Sequence, residues 1–239
     1  MNSLLPAWGH PNDPQDESRT GPDPVPSHGF RASTLLDVRG LRISPAGSDS
    51  WSNEGMSLSV GIGEALGLVG DADSGRSELA LAIAGRLAPP ASIRSGSILF
   101  DGRELVGQPR PWFARSSGPR LRSLGPVPLG TRPRGRRAAA LLTAVRLASR
   151  LTMDDPELLI FDDPTDGRKP EAHAAVLSLL SGLRAGRTVI IGSSDFSVVA
   201  SVCDRVAVID AGRIVEQGSI AEIMAAPQHP LTRALVGRA

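Results

Sequence analysis

Two short stretches hold residues whose types and spacing suit phosphate chemistry. The first is Gly70-Asp71-Ala72-Asp73-Ser74-Gly75-Arg76-Ser77. It has the spacing of the G-x-x-x-x-G-K-[ST] phosphate loop, with Arg in the Lys position. The glycines let the chain curl so that backbone N–H groups face an anion, and a helix beginning there adds partial positive charge. Ser77 carries a hydroxyl of the kind that ligates Mg²⁺. Arg76 is a cation, but a wide planar fork rather than the compact ammonium of Lys. Asp71 and Asp73 bring negative charge next to the intended anion unless they point outward. The second stretch is Leu158-Leu159-Ile160-Phe161-Asp162-Asp163-Pro164-Thr165. An apolar strand here delivers two acids to the carboxyl edge of a sheet, where ligands bind in open α/β folds. Asp162 is placed to hold Mg²⁺ through water, and Asp163 to orient or deprotonate an attacking water. Each stretch alone also has a plain structural reading: a Gly-rich strand–turn–helix, and two acids capping a strand before a Pro turn. Together they favour one phosphate site, with the strand ending at Asp162 adjacent to the one ending at Val69 and Asp162 facing Ser77.

The surrounding pattern supplies elements to carry these residues. Leu35 to Ile43 alternates and reads as a strand, as does Ser57 to Val60. Glu64 to Gly70 reads as a buried strand running into the glycine turn, and Ser77 to Leu87 as a helix. Ser97 to Phe100, closed by Asp101-Gly102, is a hairpin signal. Residues 107 to 136 are dense in Pro, Gly, Arg and Ser and read as loop; Arg137 to Met153 reads as a helix. A helix over Glu171 to Leu183, a strand over Thr188 to Ile191 and a helix over Phe196 to Val202 follow. Strands at Arg205 to Ile209 and Arg213 to Gln217 flank a turn at Ala211-Gly212. Strand–helix alternation of this kind predicts an α/β fold with a mostly parallel sheet and helices on both faces, plus N-terminal antiparallel strands.

Bulk composition removes other classes. The chain has 239 residues and a net charge of +1, too balanced for a whole-protein electrostatic grip on nucleic acid or an anionic membrane. Aromatic residues are 3%, with no Tyr, which disfavours base stacking. The basic cluster from Arg132 to Arg137 reads as a solvated loop. The single Cys203 excludes an intramolecular disulfide framework and fits a reducing cytoplasm. No apolar stretch is long enough for a membrane span, and the N-terminus lacks the pattern of a secretion signal. Any service to a membrane is therefore expected to be peripheral. Residues 1–33, rich in Pro, Asp, Ser and Gly, are expected to be disordered.

With both motifs in hand, the chain resembles the ATP-binding-cassette (ABC) ATPase family, and within it the subunits that drive oligopeptide, dipeptide and nickel import. The resemblance spans about residues 34 to 239. Three further stretches carry it: Leu35 to Leu41; Cys203 to Gly218; and Pro227-Gln228-His229-Pro230-Leu231-Thr232-Arg233-Ala234-Leu235, similar to the C-terminal extension of the peptide importers. The resemblance implies a P-loop NTPase with an ABC-type core over 34–222, a reduced helical subdomain near 107–150, and an extension over 223–239. It implies ATP and Mg²⁺ as cofactors, with Gly70 to Ser77 on the phosphates and Ser77 and Asp162 on the metal. Trp51 is the candidate to stack on an adenine. The implied partners are ABC permease membrane subunits and a second ATPase subunit.

The departures from the family pattern are as specific as the matches. Arg76 stands for Lys, and Asp163 for the catalytic Glu. Ser194 takes the place of the switch His, and Lys169 that of the D-loop acid. The LSGGQ signature is absent; the chain reads Arg136-Arg137-Ala138-Ala139-Ala140 there. Leu124-Gly125-Pro126 stands near the place of the Q-loop glutamine. These changes predict weak nucleotide binding with poor or absent hydrolysis in a peptide- or nickel-import subunit. The alternatives are a non-catalytic interaction protein or a decayed paralogue.

Overall fold

A computed structural model describes residues 34–44, 52–71, 73–89, 91–109, 120–124, 156–164, 170–184 and 186–238. The expectations for the tail 1–33, Trp51, Ala72, the basic cluster, the signature region, the helix over 137–153 and Lys169 lie outside these residues.

The chain opens with β1 (Thr34–Ser44) and β2 (Asn53–Gly61), paired antiparallel. The strand β3 (Ala65–Val69) leads through the glycine turn into helix α1 (Arg76–Ile83). Next come β4 (Ser92–Phe100), β5 (Arg103–Glu104), β6 (Leu121–Leu124) and β7 (Leu158–Asp162). Helix α2 (Pro170–Leu183) precedes β8 (Thr188–Ser193), α3 (Phe196–Val202), β9 (Arg205–Asp210) and β10 (Arg213–Ser219). Two short helices close the chain, α4 (Ile220–Ala225) and α5 (Pro230–Val236). Strands β2-β1-β4-β5 form an antiparallel sheet. Strands β10-β9-β3-β8-β7-β6 form a second sheet, parallel throughout except at β10.

The period of two along the central strands divides the core. Leu66, Leu68, Leu158, Ile160, Ala207 and Ile209 face α1 and the antiparallel sheet. Their neighbours Ala65, Val69, Leu159, Phe161, Val206 and Val208 face α2, α3, α4 and α5. Strands β3 and β8 are buried at every position, as parallel strands covered on both faces must be. Gly67 is required in β3 because a Cβ there would lie 2.0 Å from Val199 Cγ1 on α3.

Three sequence expectations are corrected. Residues 121–124, read as loop, form β6 at the sheet edge, pairing parallel to β7. Arg120 anchors that start by donating to the Glu157 carboxylate at 2.6 Å. Four residues amid Pro and Gly carry no local strand signal; their ladder comes from a partner more than thirty residues away. Helix α1 stops at Ile83 instead of reaching Leu87, because Gly85 adopts φ 62 and its N–H returns to the Ala82 carbonyl. Lastly, β7 is not the neighbour of β3, since β8 lies between them.

Candidate functional site

The carboxyl ends of β3, β8 and β7 lie together, with Val69 opposite Ser193 and Asp162 opposite Gly192. The glycine loop leaves β3 at this edge. Gly75 holds φ 88, and a Cβ on it would lie 1.8 Å from the Ser52 carbonyl oxygen. The loop is braced from two sides. Asn53, fully buried at the start of β2, donates through Nδ2 to the Gly75 carbonyl at 3.0 Å. The Gly212 N–H, in the β9–β10 turn, donates to the Ser74 carbonyl at 3.0 Å. Ser74 is 3% exposed, and its hydroxyl has no hydrogen-bond partner. Asp71 and Asp73 are exposed, so their charges sit at the rim of the loop.

Ser77 and Asp162 meet as the spacing of the two motifs predicts. The Ser77 side chain lies near the Asp162 carboxylate and favours its charged form. Burial pushes the Asp162 carboxyl above its ordinary range, against the lowering effect of that hydroxyl and of Arg76, while neighbouring Asp163 adds to the rise. Its Oδ1 is buried without a hydrogen-bond partner. A hydroxyl and a carboxylate with an unspent oxygen suit a hard divalent cation such as Mg²⁺.

Arg76 behaves differently from the residue a phosphate loop calls for. Its side chain is 1% exposed and runs past the end of β8 to the end of β7. Nη1 donates to Asp163 Oδ1 at 3.0 Å, Nη2 donates to Asp163 Oδ2, and Nη2 lies 4.0 Å from Asp162 Oδ1. The contact is a bidentate, charge-assisted pair of the kind Arg forms and Lys does not. Asp163 presents its carboxylate from φ 45, and its N–H donates to the Gly192 carbonyl at 2.9 Å. Asp is among the few residues that tolerate this left-handed region. Gly192 makes the passage: a Cβ there would lie 2.9 Å from Asp162 Oδ1 and 3.4 Å from Arg76 Cδ.

The geometry therefore gathers Gly70, Ser74, Gly75, Arg76, Ser77, Asp162 and Asp163 at one sheet edge. Ser194 is exposed just beyond β8. Ala72 and Trp51 fall outside the described residues. Asn53, Gly192 and Gly212 were not singled out from the sequence. Gly212 alone left a trace there, as part of the turn at Ala211-Gly212.

A glycine loop between a central parallel strand and a helix, with an acid from a nearby strand end on its serine, defines a P-loop NTPase. The fold is that of the ABC cassettes. CbiO1 from Clostridium perfringens, described as part of the ABC transporter complex CbiONQ, superposes with a TM-score of 0.64 at 23% identity, over 81% of this chain and 91% of that one. Two relatives are nearer in sequence. A probable peptide ABC transporter ATP-binding protein, y4tR of Sinorhizobium fredii, is 32% identical over 86% of this chain and 77% of its own length. The probable D,D-dipeptide transport ATP-binding protein DdpF of Escherichia coli is 31% identical over 86% and 79%. The chain belongs to the family of ABC transporter ATP-binding proteins. No protein-family model matches it. Among the described residues no helix is long and apolar enough to cross a membrane.

Proposed function

We propose that this chain is the nucleotide-binding subunit of an ABC import system for peptides or nickel, binding Mg²⁺-nucleotide weakly and turning it over poorly or not at all. The relatives' names support a role in peptide transport; the resemblance adds the import direction, with permease membrane subunits and a second ATPase subunit as partners. The protein would work in the cytoplasm at the inner face of the membrane, with no nucleic acid involved. The cassette occupies 34–222, with the extension over 223–239.

One observation carries the weak turnover. In a phosphoryl-transfer site the loop cation and the water-orienting acid stand on opposite sides of the transferred group. Here those two positions, Arg76 and Asp163, are hydrogen-bonded to each other. The backbone loop, Ser77 and Asp162 still provide a phosphate cradle and a metal position, so binding is retained while the chemistry is not supported. The same contact favours the second reading, a non-catalytic cassette that acts through a partner.

The test is phosphate release by the purified chain beside an Asp162→Ala control and the triple revertant Arg76→Lys, Asp163→Glu, Ser194→His. Loss of a positioned acid or base costs about 10²–10⁴-fold in rate, so release at the control's level is expected. Robust release that the Asp162→Ala control abolishes would refute the proposal.

A further inference from the structure

The contact between Arg76 and Asp163 also bears on which nucleotide the site takes. We infer that this site selects a nucleoside diphosphate over the triphosphate, because the place a third phosphate needs is closed by that ion pair. The inference rests on the nucleotide-binding reading above.

A phosphate loop divides its work: backbone N–H groups cradle the α- and β-phosphates, and the loop cation reaches the β- and γ-phosphates. The described part of the loop is held in place. Gly70 and Gly75 keep the loop in its curl: a Cβ on Gly70 would lie 2.4 Å from the Ile209 carbonyl oxygen, and Gly75 is packed against Ser52. Asn53 and Gly212 tie down its carbonyls. The buried Ser74 hydroxyl turns into the loop over Gly70, within 2.7 Å of where a Cβ there would sit, and has no hydrogen-bond partner. A phosphate oxygen is a group it can satisfy. Ser77 and Asp162, whose Oδ1 has no hydrogen-bond partner, would hold a metal ion that neutralises phosphate charge.

The third position is not available in the same way. The guanidinium of Arg76 is 1% exposed and both its terminal nitrogens are taken up by Asp163. A γ-phosphoryl group must either part this pair or face the carboxylates of Asp162 and Asp163 without it. Asp71 and Asp73 at the rim add like charge. A diphosphate carries less charge into this setting and leaves the pair closed.

The experiment is calorimetric titration of the full purified chain with ADP and with ATP, each in excess Mg²⁺, repeated on the Asp163→Asn variant. ADP is expected to bind the unmodified chain at least about tenfold tighter than ATP. Asp163→Asn keeps the left-handed backbone tolerable but removes the charge that holds the guanidinium, so the ratio should shrink to within about threefold. ATP binding as tightly as ADP would overturn the selectivity and leave the nucleotide-binding reading standing. Failure of both nucleotides would overturn that reading itself. A preference for ADP that persists in Asp163→Asn would show that the ion pair is not its cause. If the variant does not fold, the ratio in the unmodified chain decides alone.

Discussion

The Arg76–Asp163 pair can be tested without any nucleotide, by a double-mutant cycle on stability. Charges about 3 Å apart attract by about 5 kcal/mol at an effective dielectric of 20. Against this stands the desolvation of a guanidinium 1% exposed and a carboxylate 24% exposed. Breaking a fully buried pair by removing one partner costs about 3–5 kcal/mol. Asp163 keeps some water, so Arg76→Met should cost less, about 2–4 kcal/mol. That corresponds to a fall in Tm of roughly 4–16 °C for a domain of this size. Removing Arg76 also removes its buried, unpartnered Nε, which offsets a little of the cost. Asp163→Asn should cost about 1–2 kcal/mol, since Asp162 lies 4.0 Å from Nη2 as a substitute partner. The double variant should cost less than the sum, with a coupling of about 2–3 kcal/mol measured by urea unfolding. Additivity to within about 0.5 kcal/mol would mean that the two side chains do not act together, and the account of the closed site would fall with it.

Two further outcomes follow from the packing. Gly75→Ala places a methyl group 1.8 Å from the Ser52 carbonyl in a left-handed backbone, so a loss of more than about 2 kcal/mol is expected on urea unfolding; a neutral result would show that the loop is not held against β2. Cys203 is buried and its thiol is pushed up to about 12, chiefly by desolvation, so the native protein should resist a thiol reagent at pH 8 and react only once unfolded; prompt labelling of the folded chain would contradict the packing of α3 against β3 and β8.

What the sequence determined by itself is local and periodic. The turn at Gly70 to Ser77 follows from glycine spacing between an apolar strand and a helical pattern. Strands β3, β7 and β8 were legible because each is a short, nearly continuous apolar run, and Asp162 was legible because it ends such a run. Edge strand β6 was not, since four residues amid Pro and Gly owe their conformation to the ladder with β7. Nor was the insertion of β8 between β3 and β7, because strand order is set by crossovers that local pattern does not record. Tertiary structure alone decided the character of the site. Two substitutions that read separately as losses, Arg for Lys at 76 and Asp for Glu at 163, turn out to meet across 87 residues of chain. A longer, forked cation and a shorter acid can touch, and Gly192, lacking a side chain, leaves them the room to do so. The same topology put Asn53 under the loop, where its amide donates to the Gly75 carbonyl beside the Leu79 N–H of α1.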